Sequence, residues 1–294
     1  MSQPSEHDQH KDQRHLTKRI TVEPMEELLN ILLPVGKGFI KVKDYLGSDQ
    51  SIVDAARVSY SGGGTTITRS NKGLLRYLMR HQHTGPFEFL EITLHIRAPM
   101  YIARQWLRHR TANVNEISGR YSILDRGYYM PEHLPMQSLE SKHRRSDSVH
   151  ESEPALLDAM QNSLESSLQS YNHLVDSNII PELARGVLPM STYTEWYWKI
   201  DLHNLLRLIR LRTHHTAQAE FQAYAHVLCE ILAKWVPITW EAFQDYQLNS
   251  INMSELAVKA LRSHFKGEEI SQETSGMSKG EWEEFQNDIL QKFN

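Results

Sequence analysis

The sequence predicts an α+β fold: a mixed, mainly antiparallel sheet packed with long helices, in a single domain with an extension at each end. Three observations carry this. Residues 37–47, KGFIKVKDYLG, and 91–97, EITLHIR, alternate apolar and polar side chains with the period of strands that bury one face. Residues 154–177 and about 204–235 repeat apolar side chains at helical spacing. There is no internal repeat and no linker that would divide the chain into equal units.

In chain order, residues 1–36 form an N-terminal extension, partly disordered, whose alternating charges lack the apolar core of a signal peptide. The main domain spans 37–248. After the first strand, SDQSIVDAARVSY opens with a Ser/Asp cap and runs on as a helix. SGGGTT at 61–66 is then a connection. It could cradle phosphate, but it lies between helices and lacks the GxGxxG or GxxxxGK spacing. NKGLLRYLMRHQH is a short helix that the Thr84-Gly85-Pro86 run stops. In the strand at 91–97, Ile92, Leu94 and Ile96 share the buried face. Pro99 at a helical first position opens MYIARQWLRHR. Residues 137–153 are a polar insert with almost nothing to bury. The helices at 154–177 and 204–235 follow, the second read as continuous. The C-terminal extension, 249–294, contains SELAVKALRSHF, a flexible KGEEISQETSG, and a last helix with a capping box at Ser278 and Glu281. Its apolar stripe, Trp282, Phe285, Ile289 and Phe293, must pack on this chain or on a neighbouring subunit.

The totals exclude several classes of function. With 294 residues the length alone leaves the domain count open. A net charge of -4 gives no global attraction to nucleic acid, so any anion site must be local. Cys229 is the only cysteine, which rules out an intrachain disulfide, a cysteine zinc cluster or an iron-sulfur centre and suits the cytoplasm. No window approaches the roughly 20 apolar residues of a membrane helix. The sixteen histidines are scattered without an HExxH pattern, HQH at 81–83 and HH at 214–215 being the closest to one, so no metal is expected.

Local charge is a different matter. From Arg97 to Arg126 inclusive there are six arginines and only two acids, Glu116 and Asp125. Arg104 and Arg108 stand one helical turn apart, as do Gln105 and His109, so their donors leave the helix in adjacent directions. Arginine clamps phosphate bidentately and stays charged at any physiological pH. NEISGRY adds amide, hydroxyl and flexible backbone donors. The strip therefore reads as an anion site beside Trp106 and Leu107, or as a solvated basic face with structural ion pairs.

Arg212 is a second anomaly. On a continuous helix it shares an apolar stripe with Leu205, Leu208, Ile209, Ala219 and Ala223. Such a charge must be paired, reach past small neighbours, or meet a polar ligand. His203, Arg207, Arg210 and His214 line another, basic face that solvation alone would explain. His83 and Glu88 flank a proline turn, where a histidine is usually structural. Cys229 reads as a small buried hydrophobe rather than a nucleophile. No GxSxG elbow is present.

RHRTANVNEIS, with seven residues between Arg110 and Ser118, resembles the signature of the flavin-dependent thymidylate synthases. AARVSY at 55, PFE at 86, APMYIARQWLRHR at 98, NEISGRY at 115, ARGVLP at 184, DLHNLL at 201, AQAE at 217 and EAF at 241 agree in order, covering about 37–248. The resemblance implies reductive methylation of dUMP to dTMP. It brings the carbon from 5,10-methylenetetrahydrofolate and hydride from NADPH through FAD, in a homotetramer whose active sites are shared between subunits. It places Arg108, His109, Arg110 and Glu116 on the flavin, with Gly85, and with Asp201, His203 and Arg207 from a neighbouring chain. Gln105, Trp106, Leu107, Arg108 and Glu116 resemble the nucleotide-binding set, continued by Ile117, Ser118, Gly119 and Arg120. Arg185 matches a further arginine on the nucleotide. His83, Ser118 and Arg212 are the candidate catalytic residues, Arg212 as the group that polarises uracil and Ser118 for positioning rather than attack. The chain departs from the family pattern at Gly85, Phe89, Asn113 and Thr216. Two other readings compete: a noncatalytic nucleotide- or RNA-binding protein that keeps the anion pocket, and a cysteine-dependent methyltransferase using Cys229.

Overall fold

A computed structural model describes residues 19–58, 70–121, 127–137 and 145–290. The glycine-rich segment at 61–66, and Asp125 and Arg126, lie outside them. The chain divides into two compact units, the first ending at Phe243 and the second starting at Gln244.

The first unit is built on strands β1 (Leu32–Val35), β2 (Gly38–Leu46), β3 (Glu91–Pro99) and β4 (Ala112–Glu116). After the small β5 (Pro135–Gln137) and β6 (Arg145–Val149) comes β7 (Tyr193–Asp201). The main sheet has five strands in the order β1-β2-β3-β7-β4, and every pairing in it is antiparallel. The expected α+β class with a mainly antiparallel sheet is therefore what the chain adopts. Of this sheet, β1, β4 and β7 were not read from sequence patterning, although in β7 YTEWYWKI alternates with Trp196, Trp198 and Ile200 on its buried face.

The longer helices of this unit are α1 (Asp49–Arg57), α2 (Asn71–Arg80), α3 (Met100–Trp106), α4 (Glu153–Asp176), α5 (Leu202–Arg212), α6 (Ala219–Trp235) and α7 (Pro237–Phe243), beside single turns at Glu23–Glu26 and Pro181–Ala184. Ser48 caps α1 in a capping box with Ser51, as the Ser/Asp start predicts. Asp49 reaches further, accepting from the backbone N–H groups of Ile238 at 2.9 Å and Thr239 at 3.0 Å at the start of α7. Helix α2 stops at Arg80, before the glycine and proline, because Gln82 takes a left-handed conformation with φ 55°.

The core joins α3, β7 and α6 through aromatic rings. Trp106 is wholly buried, stacked on Phe221 at 4.9 Å and edge-on to Trp196, Trp198 and Tyr224. Tyr224 donates its phenol to the carbonyl of Arg97 at 2.9 Å. That contact needs a glycine at 38, where an added Cβ would lie 2.0 Å from the Tyr224 oxygen and 2.4 Å from the Arg97 carbonyl.

Two expectations about this unit need correction. The stretch 204–235 is two helices, not one. Thr213 turns its hydroxyl back to the Ile209 carbonyl at 2.8 Å, and His214 Nδ1 engages the Thr216 hydroxyl at 2.8 Å, so the chain leaves the helix after Arg212 and re-enters it after Gln218. Ala219 and Ala223 therefore do not share the helix of Arg212. Nor is NEISGRY a loop of free donors: Asn115 and Glu116 end β4, and the Ile117 N–H is bonded to the Glu195 carbonyl at 2.9 Å. Within the polar insert, β6 pairs antiparallel with β5 at its leading edge.

The second unit has a core of its own. Helix α8 (Glu255–Phe265) contributes Ala257 and Ala260, which pack with Met277, Phe285 and Ile289. The apolar stripe of the last helix thus packs on this chain, Phe293 lying outside the described residues. Ser278 accepts from the Glu281 N–H at 3.3 Å, but the Glu281 carboxylate accepts from Ser254 at 2.8 Å instead of closing the predicted capping box. KGEEISQETSG, expected to be flexible, holds a helical turn at Gln272–Ser275 with its own capping box. Among the described residues no helix is long and apolar enough to cross a membrane.

Candidate active site

The helix break puts Arg212 at the end of α5 and Gln218 at the start of α6, and α3 brings Gln105 and His109 against both. Arg212 Nε donates to His109 Nε2 at 3.2 Å. Its two terminal nitrogens donate to the Gln105 side-chain oxygen and to the Gln105 carbonyl, each at 3.5 Å. The guanidinium lies over the ring of Phe221, 4.7 Å from its centre. Gln105 in turn donates its amide nitrogen to the side-chain oxygen of Gln218. The anomaly of a charge on an apolar stripe is thus resolved by a cradle of neutral groups, in which no carboxylate of the described residues takes part.

Burial, together with the positive charges of Arg212 and Arg207, pushes the His109 imidazole down to about 4. It is neutral at physiological pH. Since Arg212 can only donate, Nε2 must accept, which leaves the ring proton on Nδ1. Burial also lowers the pKa of Arg212, although a guanidinium keeps its proton regardless. Arg104, Arg108 and Arg110 are exposed around the same helix end and have no ion-pair partner among the described residues.

A second cluster forms where β4 ends. Ser118 accepts from the Arg120 N–H at 3.3 Å, and among the described residues no histidine or carboxylate engages it, so the hydroxyl serves as a turn-former there. Gly119 beside it is buried, while Ile117 is exposed. The Arg120 side chain donates to the Glu182 carboxylate at 3.0 Å, and Arg185 Nε donates to the Glu182 carbonyl at 3.3 Å. One residue thus gathers two arginines that are far apart in sequence. Glu116 accepts from the Thr194 hydroxyl at 2.6 Å, fixing its carboxylate on the sheet edge.

The remaining candidates stand elsewhere. Trp106 is turned into the core, so its indole supports the site from beneath; Leu107 is half-buried next to it. Asp201 caps α5, accepting from the Asn204 N–H at 2.9 Å, and His203 is in the first turn. At 1.5 Å per residue they lie roughly 14 Å (His203) and roughly 17 Å (Asp201) along the axis from Arg212, so one chain does not bring them to the same point. Arg207, exposed between them, is near enough to act on His109. His83 is exposed against Tyr77, with ring centres 5.7 Å apart, and bonds none of the arginines among the described residues. Gly85 starts a short 3-10 turn with open space at its Cα. Cys229 is half-buried in α6, and burial raises its thiol to about 11, away from any nucleophilic use. Among the described residues no three histidine, cysteine or acidic side chains come together as metal ligands.

Sequence reasoning passed over Gln218, Phe221, Glu182 and Thr194. Gln218 and Phe221 were hidden by the helix break, because a continuous helix turns them away from Arg212. Thr194 belongs to the strand that was not predicted. No signal in the sequence marks Glu182.

Residues 41–238 match the family model described as thymidylate synthase complementing protein. A flavin-dependent thymidylate synthase of Ruegeria pomeroyi is 45% identical over 281 residues, covering 93% of each chain. One of Rickettsia prowazekii is 46% identical over 285 residues, covering 91% of this chain and 97% of its own. Among solved structures, a UMP/dUMP methylase, PolB of Streptomyces cacaoi bound with 5-Br UMP, superposes with a TM-score of 0.65 at 32% identity. That match covers 72% of this chain and 96% of the other.

Proposed function

The chain belongs to the thymidylate synthase complementing protein family, and from that premise we propose that it is an FAD-dependent methyltransferase that converts dUMP to dTMP. 5,10-Methylenetetrahydrofolate is its carbon donor and NADPH its reductant. The observation that carries this reading is the Arg212 guanidinium, half-buried and, among the described residues, held only by neutral partners. Its charge is left over for a ligand.

The donor set fits both a nucleotide and a flavin. A pyrophosphate and a phosphate monoester each need several cationic donors, and Arg104, Arg108 and Arg110, without an ion-pair partner among the described residues, stand beside a neutral imidazole. Arg108, His109, Arg110 and Glu116 would hold the flavin, with Gly85. Asp201, His203 and Arg207 would come from a second subunit in a homotetramer, which suits the distance of Asp201 and His203 from Arg212 along α5; Arg207 of the same chain is close enough to act on His109 as well. When bound, FAD supplies the hydride.

Everything else falls to side chains. Arg212 stabilises negative charge that develops on the uracil ring, and its cradle keeps it from being neutralised by a carboxylate. His109 cannot compete for protons at neutral pH; with Nε2 committed to Arg212, it presents Nδ1–H as a donor. Arg120 and Arg185, gathered by Glu182, act on the nucleotide together with Gln105 and the Ile117 to Gly119 backbone. Ser118 shapes that turn, and His83 stands at the rim. A cytoplasmic setting fits the single, unreactive thiol.

The test is the visible spectrum of the purified protein with dUMP, before and after anaerobic NADPH, followed by tritium release from 5-tritiated dUMP with the folate present. A flavin spectrum that bleaches, and tritium release that needs all components, are expected. A colourless protein that takes up no flavin and makes no dTMP overturns the reading, and UMP in a parallel assay defines the sugar requirement.

A further inference from the structure

The amide of Gln105 can bind Arg212 in only one sense. Arginine has five N–H donors and no acceptor, so Gln105 must turn its oxygen towards the guanidinium. Its nitrogen then points the other way and needs an acceptor. The side-chain oxygen of Gln218 is that acceptor.

Gln218 has little reason to be glutamine for the sake of its own helix. It occupies the N-cap of α6, where Ser, Thr, Asp and Asn are preferred because their short side chains reach the first free N–H groups. Its side chain makes no capping bond there. Instead it crosses 113 positions of sequence to meet α3. Three residues on, in the same first turn of α6, Phe221 supplies the ring beneath Arg212. The start of α6 therefore meets the guanidinium twice: directly through the ring, and through Gln105 by way of Gln218.

We propose that Gln218 is a positioning residue of the active site: it fixes the orientation of the Gln105 amide and so holds the Arg212 guanidinium in place for the anionic ring of the substrate. The inference rests on the assignment of Arg212 to the nucleotide. Without Gln218, the Gln105 amide is free to rotate. An amide that turns its NH2 to Arg212 removes one of the three oxygen and nitrogen acceptors that hold the charge.

Gln218→Ser separates this role from helix capping, since serine is the better N-cap but cannot span to Gln105. The holoenzyme variant should keep the wild-type melting temperature or exceed it. It should bind dUMP more weakly by about tenfold or more, the scale of one hydrogen bond to a charged group, and lose kcat along with affinity. A second measurement needs no nucleotide: NMR titration of selectively labelled histidines follows His109, which should titrate at higher pH once Arg212 is loosened. In a Gln105→Met background neither quantity should change further on adding Gln218→Ser, because the relay is already cut. The inference is overturned if Gln218→Ser leaves the His109 titration at its wild-type position, or if its effect persists undiminished in the Gln105→Met background. Failure of the wild type to bind dUMP, with the His109 response intact, would instead sink the nucleotide assignment and leave the relay standing.

Discussion

Arg97 and Arg212 pack alike and are neutralised differently. Each guanidinium lies over an aromatic ring, Arg97 over Tyr193 at 4.4 Å and Arg212 over Phe221 at 4.7 Å. Arg97, however, has the Glu195 carboxylate at 3.5 Å, which also holds His95 at 2.9 Å, and it donates to the Lys37 carbonyl as well. Arg212 has an imidazole, an amide and a backbone carbonyl. The contrast separates two arginines that share an aromatic shelf: Arg97 has a carboxylate to balance it, whereas among the described residues Arg212 has none, which is what fits Arg212 to the proposed role on an anionic ligand.

The strongest way to break this comparison is to remove each arginine in turn. Arg212→Ala should lower kcat/KM for dTMP formation by about a hundredfold to a thousandfold, the usual cost of losing a preorganised charge in an active site, with little change in melting temperature. Arg97→Ala should do the reverse, costing about 1 kcal/mol in urea unfolding, as a partly exposed ion pair does, while turnover stays within a few-fold. Similar activity losses in both variants would mean that the counter-charge is not the criterion.

A smaller effect is expected from Gly38→Ala. The methyl group would collide with the Tyr224 phenol and with the Arg97 carbonyl, and overpacking of this kind costs about 1–3 kcal/mol. Equilibrium unfolding should record that loss, with any fall in activity following stability. A variant as stable as the wild type would show that β2 can shift away from α6.

The gentlest probe is pH. His109 has its pKa depressed from the ordinary 6.5 to about 4, so between those values the unfolded chain takes up a proton that the folded chain refuses. Its contribution to stability is fully present above about pH 6.5 and is lost as pH falls towards 4. The difference in melting temperature between wild type and His109→Gln should therefore vary with pH only in that window. A difference that is constant from pH 4 to 7 would mean that the imidazole is not held neutral.

Much of this was legible in the sequence, and the parts that were not have physical causes. The alternation in KGFIKVKDYL and EITLHIR marked two strands because each buries one face only, and the RHR run marked the site through its charge. The break after Arg212 was invisible because THHTAQ contains neither glycine nor proline. It is made by hydroxyl and imidazole groups bonding locally to the backbone and to each other, which composition does not announce. Gln218 and Phe221 stayed hidden behind that break, and Thr194 behind the unread β7, since what brings each of them to the candidate site is where distant elements meet. Trp106 shows the opposite case: its place in the motif pointed to the substrate, while its size sent the ring into the core.

Arg104, Arg108 and Arg110 have a kinetic consequence as well. They are exposed on a chain whose net charge is -4 and have no ion-pair partner among the described residues, so they concentrate positive charge locally at the end of α3. The capture rate of a dianionic nucleotide there should fall as added salt shortens the reach of that charge to about 8 Å. On the proposed assignment of these arginines to the ligand, they would act before contact too, as the entrance that finds it.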